Sequence, residues 1–236
     1  MPKSTTECFN EYIVRRFSGK IFTVVFYIWL VLPLQTTTPL IDRDWTGNPI
    51  IEGWYADPDI HIFNGEYWLY PTSSAGFETQ TYYDAFSSRD LLTWTKYDRI
   101  LDFVDVPWST YHAAWAPSVA HKNGKYYMYF SAGEGVGIGV AEAEWPGGPF
   151  IDVLGAPLIT EWHFDAQPID AAMFIDDDGR NYLYYGGKYH CVVVELEDNV
   201  IATKGEYVEI TPPDYVEAPF MLKRNGTYYL MYSVGR

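Results

Sequence analysis

The chain has 236 residues, with 31 acidic and 16 basic side chains and a formal net charge of −15. That negative excess argues against nucleic acid or an anionic membrane surface as a partner, while the length suffices for one large domain with a sizeable core. Aromatic residues make up 18% of the chain, 21 of them tyrosine. This favours β structure over helix, and ring faces also stack on sugar C–H faces; composition alone does not separate the two causes.

The first segment in chain order, residues 1–38, reads differently from the rest. Lys3, Arg15, Arg16 and Lys20 precede an apolar run from Ile21 to Leu34, and Gln35-Thr36-Thr37-Thr38 follows. Basic then apolar is the order of a secretory signal, and the run is short for a membrane span. Residues 1–38 are therefore expected to be a signal peptide or, since no Ala-x-Ala cleavage site is present, an N-terminal anchor. The protein is expected to be secreted, or held outside the cell by that segment. Cys8 lies upstream of the run and Cys191 downstream, so no disulfide is expected within the domain.

Residues 39–236 carry a fourfold repeat. After an extended lead-in from Pro39 to Gly53, the sequence presents Asn64-Gly65-Glu66-Tyr67-Trp68-Leu69-Tyr70, Asn123-Gly124-Lys125-Tyr126-Tyr127-Met128-Tyr129, Asp178-Gly179-Arg180-Asn181-Tyr182-Leu183-Tyr184 and Asn225-Gly226-Thr227-Tyr228-Tyr229-Leu230. Asn-Gly or Asp-Gly flanked by alternating apolar residues marks a tight hairpin, because a type I′ turn needs two residues that tolerate positive φ. The glycines are 59, 55 and 47 residues apart, a spacing typical of β-propeller blades. Outer strands are expected at 84–88 with 93–97, at 138–141 with 149–152, and at 191–196. The fold class is thus all-β, a propeller with three four-stranded blades and a fourth represented by its inner hairpin. Three and a half blades do not close a ring, so the propeller of residues 39–236 is expected to be C-terminally incomplete.

The turn glycines serve as a ruler. Asp57 lies eight residues before Gly65, Asp170 nine before Gly179 and Glu217 nine before Gly226; Trp115-Ala116-Pro117 occupies that place in the second repeat. Ile60, Val119, Phe174 and Met221, each five before its glycine, support one common register. The register puts the three acids at the starts of the innermost strands, converging on one mouth of the channel. Facing carboxylates repel and raise at least one pKa, and one protonated plus one ionised carboxyl is what glycosidic hydrolysis requires. Asp at a strand start also serves as a plain turn residue, but three acids in one register weigh against that.

These motifs also resemble glycoside hydrolase family 43. The resemblance runs from about Asn48 to the C-terminus, through Trp54-Tyr55-Ala56-Asp57-Pro58-Asp59-Ile60, Trp115-Ala116-Pro117-Ser118, Ile169-Asp170 before Phe174-Ile175-Asp176-Asp177-Asp178-Gly179, and Glu217-Ala218-Pro219. It implies a five-bladed propeller that releases arabinofuranose or xylose from plant cell-wall polysaccharides with inversion. It further implies Asp57 as general base, Glu217 as general acid, and Asp170 as the residue that raises the acid's pKa and orients it. Ala171-Ala172 departs from the Pro-Ser often found there, and the fifth blade, where family members often place substrate and ion contacts, is missing.

Around the acids, Trp54 and Trp115 are candidates to wall the sugar subsite, with core packing between blades the competing role. Gln167 and His112 are candidates to donate hydrogen bonds to sugar hydroxyls. No cofactor is expected. Asp176-Asp177-Asp178-Gly179 has neither the loop length nor the distal Glu of a calcium loop, so a structural calcium lacks support and no metal ligands are assigned. The expected partner is a carbohydrate substrate. Alternatives are a retaining fructosidase-like enzyme, whose first motif resembles Ala56-Asp57-Pro58-Asp59 in part, and a non-catalytic glycan-binding propeller fragment.

Overall fold

A computed structural model describes residues 38–40 and 47–235; the expected leader, apart from Thr38, lies outside them. Fifteen strands occur among the described residues: β1 (Thr38–Leu40), β2 (Tyr55–Phe63), β3 (Glu66–Ser73), β4 (Tyr82–Ser88), β5 (Trp94–Asp102), β6 (Trp115–Lys122), β7 (Lys125–Ala132), β8 (Gly137–Ala143), β9 (Ile151–Asp152), β10 (Ala172–Ile175), β11 (Asn181–Tyr185), β12 (Val192–Leu196), β13 (Thr203–Glu209), β14 (Tyr215–Arg224) and β15 (Thr227–Val234). They form four antiparallel sheets. The first is ordered β1-β5-β4-β3-β2, the second β6-β7-β8-β9, the third β10-β11-β12-β13, and the fourth is the hairpin β14-β15. Three meandering blades and a half blade therefore follow one another, as the repeat implied. Part of the lead-in segment is itself a strand: β1 adds to the outer edge of the first blade by pairing Thr38 with Lys96 and Leu40 with Trp94. The outermost strand of the third blade, β13, belongs to the expected four-stranded count but was not located in the sequence. Its polar, mostly exposed sequence Thr203–Glu209 gives no apolar alternation to read.

The inner hairpins turn as their sequences demand, with one exception. Asn64-Gly65, Asn123-Gly124 and Asn225-Gly226 all adopt positive φ at both residues, the type I′ signature. The third turn is longer. Gly179 alone is left-handed there, its N–H bonds the Asp176 carbonyl, and the Asp176 N–H bonds the Arg180 carbonyl. This is the three-residue loop in which a type I turn ends in a left-handed glycine. It holds one residue more than the others.

That extra residue corrects the register. Ile60 pairs with Leu69, Val119 with Met128 and Met221 with Leu230, whereas Leu183 pairs with Met173 rather than Phe174. Counted from these pairs, Asp57, Ala116, Asp170 and Ala218 are equivalent, three residues before Ile60, Val119, Met173 and Met221. All four are left-handed, with φ of 46°, 39°, 56° and 59°. Glu217 stands one residue earlier, in register with Trp115. The three acids thus occupy two adjacent positions, not one.

The core lies between blades. One buried cluster joins the first two blades through Trp68, Tyr70, Tyr83, Phe103, Met128 and Phe130. A second joins blades two and three through Tyr129, Ile138, Val140, Leu183, Tyr185 and Val194. Buried tyrosines carry their hydroxyls to backbone carbonyls of the neighbouring blade, as in Tyr70 to Pro146 at 2.9 Å and Tyr129 to Val200 at 2.6 Å, which meets the polar requirement of an otherwise apolar ring.

Candidate active site

A left-handed residue lies inside a break in the ladder near the start of three inner strands, between Ala56 and Asp59 in β2, Trp115 and Ser118 in β6, and Glu217 and Phe220 in β14, while Asp170 stands two residues before β10. Such bulges re-aim side chains at the end of a strand. Aspartate tolerates the left-handed region better than most residues, whereas alanine there costs roughly 1–2 kcal/mol. The order around the mouth is Asp57, Ala116, Asp170, Ala218, so small methyl groups separate the acids and leave room beside them. A cavity of about 390 Å³ opens at this point, lined by Asp57, Asp59, Ser118, Asp170, Phe220 and Ser233 among others. Its size suits a single sugar residue or a similarly small ligand.

The carboxyl groups differ in setting. Asp57 is exposed to the cavity, and its Oδ2 accepts a hydrogen bond of 2.8 Å from Thr72 Oγ1. Asp170 is partly buried, and its pKa is pushed up to about 7. Burial is the largest cause, followed by the charges of Glu217 and Asp57; a hydrogen bond from the Ala218 N–H acts the other way. Glu217 is exposed, and its backbone pairs with Ser233 in β15. The structure therefore brings all three acids into electrostatic contact, with Asp170 as the member that holds a proton near neutrality.

Asp59 is a fourth acid at the cavity, 7% exposed. It accepts the Val119 N–H from the next blade at 2.7 Å, and His61 Nε2 at 3.0 Å. Burial opposes charge on His61, but the Asp59 hydrogen bond and charge outweigh it and raise the imidazole above its ordinary value. The sequence reading passed over Asp59 as part of the Asp57 motif. The alternation of β2 was the available signal, since Asp59 and His61 fall on one face of the strand.

None of the four proposed sugar contacts lines the cavity. Trp54 is 77% exposed just before β2, so it is not a core residue. Trp115 is half-buried and donates through Nε1 to Gln80 Oε1 at 2.6 Å, with Phe77 tilted against it at 6.2 Å. His112 sits edge-on to Phe77 at 5.3 Å, and its Nδ1 lies 2.9 Å from the Thr110 carbonyl. Gln167 donates to the Glu134 carbonyl at 2.8 Å. Trp115 opens β6, and His112 and Gln167 lie in the segments that lead into β6 and β10, on the side where the inner strands start. Phe77, which the sequence reading missed, joins Trp115 to His112 and is 41% exposed.

Among the described residues no group of three His, Cys, Asp or Glu side chains is placed to hold a metal. The aspartates of the third turn are engaged otherwise. Asp176 accepts from Lys223 Nζ at 2.6 Å and from the Tyr228 hydroxyl at 2.6 Å, and Asp178 accepts from Arg180 Nε at 2.7 Å. That turn is a tie between the third and fourth blades.

A propeller with a carboxylate-lined mouth of this kind defines a class, the glycosidase-type β-propellers. Comparison with known proteins gives the family: the model of "Glycosyl hydrolases family 43" matches residues 46–236, and the chain belongs to that family. It is similar to the β-D-galactofuranosidase xynD of Aspergillus niger, with 56% identity over 213 residues, covering 86% of this chain and 62% of that protein. Among solved structures it is similar to an α-L-arabinofuranosidase from Clostridium thermocellum, with a TM-score of 0.68 and 33% identity over 76% of this chain and 64% of that one. A β-xylosidase/α-arabinofuranosidase from a compost metagenome, solved in a calcium-free form with xylotriose, gives 0.67 and 27% over 78% and 72%. The fold is that of these β-propellers, with three full blades and one two-stranded hairpin among the described residues. The chain spans a little under two thirds of the length of the first two relatives.

Proposed function

We propose that this chain is the catalytic propeller of an inverting, exo-acting glycoside hydrolase that releases furanose or pentose units from plant cell-wall polysaccharides or oligosaccharides. The observation that carries the reading is the pairing of Asp57 and Asp170 at equivalent left-handed positions around one cavity, with Glu217 beside Ala218 and the Asp170 carboxyl raised to about 7. In this reading Asp57 is the general base that activates water. Glu217 is the general acid that protonates the leaving oxygen. Asp170, hydrogen-bonded to the N–H next to Glu217, orients that acid. Trp54, Trp115, His112 and Gln167 contact the sugar or its neighbours along the chain. The relatives' names support α-L-arabinofuranosides and β-D-xylosides as substrates. The 56% identical relative adds β-D-galactofuranosides, whose five-membered ring matches that of arabinofuranose.

The test is hydrolysis of aryl α-L-arabinofuranosides, β-D-galactofuranosides and β-D-xylosides by the wild-type chain and by Asp57→Asn. The expected result is turnover of at least one substrate and a loss of three or more orders of magnitude in kcat in the variant, with the melting temperature nearly unchanged. Product anomers followed by NMR should show inversion; retention on a furanoside would overturn the inverting assignment in favour of a retaining enzyme such as the fructosidase-like alternative. No turnover of any substrate, together with saturable binding of xylo- or arabino-oligosaccharides, would favour the non-catalytic reading. Residues 1–38 we read as a signal peptide or anchor, and N-terminal sequencing of the exported protein would distinguish the two.

A further inference from the structure

Seven residues after each turn glycine stand Thr72, Ser131, Gly186 and Ser233. These positions are equivalent in the sheets, since Thr72 pairs with Ala56, Ser131 with Trp115 and Ser233 with Glu217, while the Gly186 N–H bonds the Ile169 carbonyl. The hydroxyls have a common task. Thr72 Oγ1 accepts the N–H of Ala116, the left-handed residue of the next blade, at 2.7 Å; Ser131 Oγ accepts the N–H of Asp170, the left-handed residue of the blade after, at 2.9 Å. At the third junction Gly186 offers no hydroxyl, and the Ala218 N–H goes to the Asp170 carboxylate instead.

Thr72 does something more. A hydroxyl has one proton to give, and with Ala116 donating into its oxygen that proton goes to Asp57 Oδ2 at 2.8 Å. The chain therefore runs from Ala116 N–H to Thr72 Oγ1, and from Thr72 O–H to Asp57 Oδ2. Thr72 is 2% exposed, and its β-branched side chain has little freedom about χ1. Asp57 Oδ1 has no hydrogen-bond partner among the described residues, and Asp57 lines the cavity. We propose that Thr72 is a positioning residue for Asp57, holding one carboxylate oxygen against the wall so that the other faces a water in the cavity, with its own orientation set by the backbone of the second blade. This rests on the reading of Asp57 as general base, where a misplacement of about 1 Å costs on the order of a hundredfold in rate.

The experiment compares wild type, Thr72→Val, Thr72→Ser and Asp57→Asn in crystal structures and in kinetics on the best aryl glycoside. In Thr72→Val the Asp57 carboxylate should leave its wild-type rotamer or split between two. kcat should fall about 10- to 100-fold while KM changes less than about twofold, the pattern of a lost transition-state contribution rather than of lost binding. Thr72→Ser, which keeps the hydroxyl, should restore the rotamer and bring kcat to within about threefold of wild type. An unmoved Asp57 carboxylate in Thr72→Val overturns the proposal, as does a Thr72→Ser variant as slow as Thr72→Val. If Asp57→Asn keeps wild-type turnover, the functional reading falls by itself; the rotamer of Asp57 in the two Thr72 variants still decides whether Thr72 positions it. If Asp57→Asn is dead and Thr72→Val is fully active, the functional reading stands and this proposal fails.

Discussion

Replacing Asp170 with Asn should make the protein more stable at alkaline pH while impairing its chemistry. The Asp170 carboxyl is raised from 3.8 to about 7 in the folded chain, chiefly by burial and then by the charges of Glu217 and Asp57. A raised folded-state pKa means the folded protein binds the proton more tightly than the unfolded chain does. For an acid this costs stability as pH rises: there is no penalty below about pH 4, a growing one between pH 4 and 7, and the full penalty above. Roughly three units at about 1.4 kcal/mol each give a ceiling of about 4 kcal/mol. Asn has the same shape, cannot ionise, and still offers an oxygen to the Ala218 N–H. At about 2–4 °C per kcal/mol for a domain of this size, the ceiling corresponds to roughly 8–16 °C. The assay is the melting temperature of wild type and Asp170→Asn at half-unit steps from pH 4.5 to 8. The difference, variant minus wild type, should grow by at least about 4 °C across that range, and subtraction removes His61 and the other groups titrating in the same window. Parallel curves would refute the reasoning, since they would mean that Asp170 ionises in the fold as easily as it does in the unfolded chain.

Other perturbations separate the remaining roles. Glu217→Gln should slow hydrolysis of p-nitrophenyl glycosides by about 10²–10⁴-fold. It should slow 2,4-dinitrophenyl glycosides much less, because that leaving group departs without a proton; equal losses on both in steady-state assays would remove Glu217 from the acid role. Lys223→Met should loosen the tie between blades three and four. Lys223, followed by the Tyr228 hydroxyl, holds Asp176 down at about 2, so this contribution is present above about pH 4 and is lost as pH falls through about 2. The variant should melt lower at pH 7 and show a shallower loss between pH 4 and 2, both readable by scanning fluorimetry. Unchanged melting at pH 7 would mean the cluster is merely a surface arrangement.

The sequence carried the fold further than it carried the site, and the reason is geometric. Asn-Gly and Asp-Gly specify turns through backbone sterics, so they report strand pairing directly, and three of the four hairpins follow that rule residue for residue. A ruler built on turns is only as good as its assumption that each turn has the same length. Asp176-Asp177-Asp178-Gly179 adds one residue, which made Asp170 look equivalent to Glu217 when its true counterpart is Asp57. The corrected register shows that the acids at the left-handed position alternate with alanines, and that Glu217 stands one position earlier, next to Ala218. Thr72 and Ser131 were legible by the same ruler, seven residues beyond each glycine. They went unread because a lone hydroxyl in a strand carries no pattern of its own. What no spacing reveals is the tertiary consequence: the missing side chain at Gly186 frees the Ala218 N–H for Asp170, and so couples the buried carboxyl to the backbone next to Glu217. That single glycine converts a structural hydrogen bond, made by hydroxyls at two junctions, into one made by the acid at the third.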